Sequence, residues 1–180
     1  MTTSESEDVV PSWSRDGKWI YFASDRGGSF EIWKVPAASG ESTSTPAMQV
    51  TRSGGFNGVE SLDGKYLYFN KDRDNPALWR LNLSSGAGSE QPILESLERW
   101  GWWTLGPKGI YSFQAVAPKL DMVHLKLLDE MTKRVYDLAT LTKAVSLSQP
   151  ELTVSPDGRA VVFLQEDESG SDIMLMEGFR

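Results

Sequence analysis

The stretch WSRDGKWIYFASDRGG, residues 13–28, passes from an Asp-Gly turn into the almost unbroken apolar run of residues 19–23 and leaves through Asp25-Arg26-Gly27-Gly28. It is one copy of a repeated device. Asp16-Gly17-Lys18 leads into Ile20-Tyr21-Phe22, Asp63-Gly64-Lys65 into Leu67-Tyr68-Phe69, and Asp157-Gly158-Arg159 into Val161-Val162-Phe163. A fourth, degraded copy is GPKGIYSF (106–113), with Gly106-Pro107 in the Asp-Gly place and Ile110-Tyr111 in the apolar one. Tyr21, Tyr68, Tyr111 and Val162 then form one column with spacings of 47, 43 and 51 residues. That period is too short for separate domains and fits a structural repeat.

Each copy continues alike. A second apolar stretch follows as EIWKVP (31–36), ALWRLNL (77–83), MVHLKLL (122–128) and DIMLME (172–177). A third follows in the first three copies, as MQVT (48–51), PILES (92–96) and RVYDLA (134–139), while segments such as VVPSWS (9–14) and ELTVSP (151–156) precede the turns. These runs are short, rich in Ile, Val, Tyr, Phe and Trp, and bounded by Asp-Gly, Gly-Gly, Ser-Gly and Asn-Pro, which predicts strands and not helices. Asp-Gly suits a hairpin because glycine tolerates positive φ and Asp can bond its own backbone, so the turn is explained without catalysis. The run WIYFA is apolar at every position, which predicts cover on both faces of its sheet. Four short antiparallel strands per unit, at a period in the forties, predict an all-β chain with the fold of a β-propeller.

Composition agrees. The 180 residues are 39% hydrophobic and 11% aromatic, enough for a substantial core. There are no cysteines, so disulfides, thiolate zinc sites and a cysteine nucleophile are excluded, although no compartment is assigned. No run of eighteen apolar residues is present and the opening MTTSESEDVV is polar and acidic, so no membrane insertion by this segment is expected. Of the net charge of −7, the first ten and last thirty residues together hold −8, leaving the middle at +1. An acidic chain with no Lys/Arg cluster is a poor phosphate binder, and direct nucleic-acid binding is not expected.

The residues PSWSRDGKWIYFASDRGGSFEIWKVP, closing on QVT, resemble the TolB-like β-propeller repeat, a relative of the WD repeat. LTVSPDGRAVVFLQEDESGSDIMLMEGFR (152–180) is similar to the closing repeat of bacterial proteins of that type. The resemblance covers most of residues 9–180. It is strong in repeats one, two and four and weak in repeat three, where the Asp-Gly turn is lost. A single domain over 1–180 is expected, with repeats at 9–53, 56–96, 100–140 and 151–180. Residues 2–4, TTS, resemble TRS at 51–53, the end of a fourth strand. Residues 1–4 are therefore expected to complete the last blade if the chain closes into four four-stranded blades. The competing expectation is that the chain is the C-terminal part of a longer propeller, since TolB-like members usually have more blades.

Chemistry is sparse. The single histidine, His124, falls by alignment in the column of Trp33, Trp79 and Met174, a bulky strand position, with general base or metal ligand as the alternative. No G-x-S-x-G elbow, phosphate-cradling loop or H-E-x-x-H helix appears. Asp72, Asp74 and Asn75 could offer three oxygens to calcium, but the recurring Asp25-Arg26 and Asp72-Arg73 read more simply as a repeated ion pair or turn. The run 166–168 reads as a solvated hairpin tip. No cofactor and no catalytic residue is assigned.

Aromatic residues concentrate in the degraded repeat. Trp100, Trp102 and Trp103 are the candidate partner or ligand surface, because Trp and Tyr are enriched at binding hot spots. Core packing is the alternative: Trp100 and Trp102 share one face of a strand and Trp103 takes the other. If Trp103 is surface, its alanine variant loses partner affinity and keeps its melting temperature.

The resemblance implies a non-enzymatic module that binds another protein or a small ligand on a propeller face. Two further readings are a sensor part of a bacterial winged-helix regulator and a propeller-type hydrolase.

Overall fold

The computed structural model describes residues 5–37, 46–116, 119–143, 145, 152–167 and 170–178, and every described element is a β-strand. The chain packs as two compact units, Met1–Ser96 and Leu97–Arg180. Each holds two antiparallel sheets with the connectivity of propeller blades, and the fold is the β-propeller that the repeats predict. Among the described residues no helix is long and apolar enough to cross a membrane.

In the first unit, blade one is β1 (Asp8–Trp13), β2 (Trp19–Ser24), β3 (Glu31–Pro36) and β4 (Met48–Gln49), in spatial order 1-2-3-4. Blade two is β5 (Phe56–Glu60), β6 (Tyr66–Asn70), β7 (Leu78–Asn82) and β8 (Gln91–Leu94), in the same order. In the second unit, blade three is β9 (Trp103–Gly106), β10 (Gly109–Val116), β11 (Lys119–Leu128) and β12 (Val135–Leu141). Blade four shows β13 (Leu152–Val154), β14 (Ala160–Asp167) and β15 (Gly170–Glu177), three strands among the described residues. The expectation that residues 1–4 complete this blade lies outside the described residues.

The Asp-Gly turns are one network built three times. Ser14 Oγ donates to Asp16 Oδ1 (2.7 Å), Lys18 N–H donates to the same oxygen (3.0 Å), and Trp19 N–H donates to Ser14 Oγ (2.9 Å). Ser61, Asp63, Lys65 and Tyr66 repeat these bonds, as do Ser155, Asp157, Arg159 and Ala160. Gly17, Gly64 and Gly158 sit at φ near +70°, the conformation glycine adopts without strain. The motif is Ser-x-Asp-Gly: the serine hydroxyl closes the loop and the carboxylate stiffens it.

The first unit is sealed by polar groups. Tyr21 donates to the carboxylate of Glu60 in blade two, and burial first, then that carboxylate, pushes its phenol pKa up. Glu31, 5% exposed, accepts from Thr51 Oγ1 (2.6 Å) and from Gly54 N–H (3.1 Å), while Thr51 Oγ1 accepts from Ile32 N–H (2.9 Å). Buried carboxylates survive only when so satisfied. The second unit has an apolar seal instead, where Tyr111, Phe113, Val123, Leu125 and Leu127 of blade three meet Leu152, Val161 and Phe163 of blade four.

The Asp-Arg dipeptides are not repeated ion pairs. Arg26 pairs with Asp8 on the neighbouring strand (2.8 and 2.9 Å) and stacks over Phe22 and Trp33, while Asp25 caps Glu7 N–H (2.9 Å). Arg73 lies over the ring of Phe56, and Asp72 accepts from Asp74 N–H (2.7 Å), a local turn.

Candidate functional site

The degraded repeat carries the most distinctive surface. Its turn keeps only two residues, Pro107 and Lys108, between the paired Gly106 and Gly109, against the four between Ser14 and Trp19. Gly109 has φ +139°, and a Cβ there would strike the carbonyl of Leu128, so glycine is required by space and by backbone. The shortened turn lets blade four approach: a Cβ on Gly158 would stand 2.8 Å from Pro107 Cγ.

Trp102 and Trp103 are both buried. Trp102 is 1% exposed and packs edge-on to Phe113 (6.0 Å, 85°), which in turn meets Phe163 edge-on (5.7 Å, 78°). Trp103, opposite Ser112 in the ladder, is 2% exposed. Both parities of this strand are covered, as they are at the consecutive residues Ile110 and Tyr111, and the alternative of core packing is what is found. Trp100, just before β9, is half-buried.

The ladder also moves His124. With Tyr21, Tyr68 and Tyr111 in one column, Trp33 and Trp79 pair with the next residues, Phe22 and Phe69; the matching pair in blade three is Ser112 with Lys126. His124 pairs with Gln114, two residues away, and its Nδ1 lies 3.0 Å from Thr140 Oγ1 of the adjacent strand. It is a cross-strand polar contact. Among the described residues no three His, Cys, Asp or Glu side chains are grouped to hold a metal ion.

What the repeat does build is a cleft of about 490 Å³. Its floor is Tyr111 and Leu127, its wall Val135, Tyr136, Asp137 and Leu138 of β12, and its rim Lys108. β12 is the outermost strand of its sheet, and Val135 and Tyr136 are 56% and 43% exposed. Desolvation pushes the Tyr111 phenol pKa up. Asp137 pairs with Lys126 (3.4 Å). The volume falls in the range of ligand-binding clefts, and apolar walls with a few rim charges are their usual make-up. The sequence signal for this wall was RVYDLA, which places apolar groups at both parities of an edge strand.

No protein-family model matches the chain. In three dimensions it is similar to TolB from Acinetobacter baumannii, with a TM-score of 0.72 and 22% identity over 93% of this chain and 40% of that one. It is also similar to a TolB-type protein from Agrobacterium tumefaciens (TM-score 0.61, 21% identity, 99% of this chain and 60% of that one). A third likeness is to an oligogalacturonate lyase from Vibrio parahaemolyticus (0.61, 17%, 96% and 54%). At these identities the likeness shows the fold alone, a β-propeller. The chain spans 40% to 60% of the length of these proteins.

Proposed function

We propose that this propeller module is a non-enzymatic protein-interaction element whose contact surface is the blade-three cleft and the edge strand β12 beside it. The observation that carries the reading is the exposure of Val135 and Tyr136 on an outermost strand, next to a cleft of about 490 Å³. Edge strands offer unpaired backbone groups to an extended segment, and neighbouring pockets take its side chains. Half-buried Trp100 is the member of the expected aromatic set that still offers surface.

The test is to isolate partners on immobilised chain, then measure one purified partner against the Val135→Glu/Tyr136→Glu variant. Binding that falls at least tenfold, with an unchanged melting temperature, supports the reading. Binding that is indifferent to both substitutions overturns it.

A further inference from the structure

Strand β5 carries, at its irregular point, two residues that the fold selects for separate reasons. The β5–β6 register slips between Phe56 and Val59, and within the slip Asn57 takes φ +51°, left-handed backbone that asparagine accepts more readily than most residues. Gly58 is there for space: a Cβ on it would stand 3.1 Å from Ile32 Cδ1 and 3.4 Å from Ile32 Cγ1, so blade one packs directly on its backbone. Blade one has Val10-Pro11 at the matching slip. Asn57 is thereby the one asparagine of this chain that a glycine follows; Asn70, Asn75 and Asn82 precede Lys71, Pro76 and Leu83.

Asn-Gly offers the least hindered path to ring closure, because glycine brings no Cβ against the attacking nitrogen and lets the backbone turn freely. The Gly58 nitrogen gives up its proton to base and bonds to Asn57 Cγ, the Cγ–Nδ2 bond breaks, and ammonia leaves with a proton. Water then opens the five-membered imide at either carbonyl, leaving aspartate or β-linked isoaspartate at position 57. Closure requires the Asn57 Cα–C bond to rotate until the Gly58 nitrogen meets Cγ. The folded unit blocks that rotation, since Gly58 Cα is seated on Ile32 and its carbonyl accepts from Ser12 Oγ of β1 at 2.5 Å. Asn57 is 6% exposed and Gly58 is buried, which also keeps out the water and base that the reaction consumes.

We propose that Asn57-Gly58 is a deamidation site that the packing of blade one on blade two holds closed and that opens when this unit unfolds. The products do not fit the place they come from. Aspartate puts a second carboxylate into a strand where Glu60 is already 6% exposed, and it cannot donate a hydrogen bond as the amide does. Isoaspartate routes the main chain through the side-chain carbon and lengthens β5 by one methylene between Phe56 and Val59, which pair with Asn70 and Tyr68. Conversion is one-way, so the mark accumulates on chains that have been unfolded. It is independent of the reading of blade three as a partner surface, and either can fail alone.

The test holds the whole chain in mildly alkaline buffer, with and without enough urea to unfold it, and follows the mass gain of tryptic peptide 53–65 after brief digestion at mildly acidic pH. That peptide contains Asn57 and no other asparagine or glutamine, so its mass gain reports this one site. Conversion in urea should run at least tenfold faster than in the folded chain. Ser12→Ala should speed the folded-state reaction and leave the rate in urea unchanged. The urea midpoint of Asn57→Asp, read by circular dichroism, should fall below that of wild type. Equal rates with and without urea overturn the proposal, and a folded-state rate that Ser12→Ala leaves untouched overturns the pinning of Gly58. An Asn57→Asp midpoint equal to that of wild type overturns the misfit of the product.

Discussion

Ser61 Oγ lies 2.7 Å from Asp63 Oδ1 and donates to it, and the backbone N–H of Lys65 donates to the same oxygen at 3.1 Å. The serine bond first, then the backbone bond, holds the Asp63 carboxyl below its ordinary value of 3.8. A carboxylate whose folded pKa is depressed contributes stability that is present above its unfolded pKa and is lost as pH falls through the folded one. Asp16 and Asp157 are shifted the same way by Ser14 and Ser155. Thermal melts of the triple Asp→Asn variant at these three positions should therefore lie below wild type at neutral pH, and the gap should narrow once pH drops below about 3.8. These carboxylates are exposed, so added salt should shrink the neutral-pH gap too. A gap constant with pH would mean that the charge is irrelevant to the turn.

The same turn makes a stronger demand on its serine. Ser61, 8% exposed, is both donor to Asp63 and acceptor from Tyr66 N–H (3.0 Å). Ser61→Ala removes both bonds and should cost about 1–3 kcal/mol by chemical denaturation. Ser14→Ala should cost a similar amount, since its bonds are the same; loss of less than a few tenths in both would show that the hydroxyl is incidental.

How much of this could be read beforehand differs from residue to residue. Asp-Gly followed by an apolar run gave the hairpins and hence the blades, because that chemistry is local. Ser14, Ser61 and Ser155 stand in plain view two residues before each Asp, yet serine is common in turns and its closing bond is visible only in the folded loop. Sequence spacing puts His124 in the wrong column because Tyr111 and Lys126 stand 15 positions apart, against 12 for Tyr21 and Trp33 and 11 for Tyr68 and Trp79, and the extra residues carry no pattern of their own. Trp102 and Trp103 read as candidate surface because aromatic residues concentrate in the degraded repeat and Trp is enriched at binding hot spots. Sheets stacked inside a propeller cover both faces, which the unbroken apolar run WIYFA reveals for β2 and the short stretch WGWWTLG does not reveal for β9.

Trp103 separates the two readings by experiment. At 2% exposure, Trp103→Ala should behave as a core truncation and destabilise by about 3–5 kcal/mol, as should Trp102→Ala at 1%. A Trp103→Ala variant that melts with the wild type would return that indole to the surface and to the partner site first expected of it.

Thr51 ties together two polar groups that burial has cut off from water. Its hydroxyl donates to Glu31 Oε2 and accepts from Ile32 N–H, and the residue is fully buried. Thr51→Val conserves shape and strands both partners, so it should cost about 2–4 kcal/mol, more than a simple hydrogen-bond deletion. Thr51→Ser, which keeps the hydroxyl, should recover most of the loss. If serine fails to rescue, the methyl contact and not the hydroxyl is what matters.

Val10 and Asn57 are the same residue of two successive first strands, at φ +52° and +51°, inside matching irregularities of the β1–β2 and β5–β6 ladders. Asparagine accepts left-handed backbone readily, whereas a β-branched side chain there is strained by about 1–3 kcal/mol. Blade one therefore holds its bulge in spite of Val10. Replacing it by the residue that blade two uses, Val10→Asn, should stabilise the protein by about 1 kcal/mol, part of the strain relief being offset by lost apolar burial at a half-buried position. Val10→Gly relieves the same strain and adds unfolded-state entropy, so it should gain less than asparagine. Equilibrium urea unfolding of the three proteins orders them as Asn above Gly above Val. An order with valine at the top would mean that its side-chain packing outweighs the backbone strain.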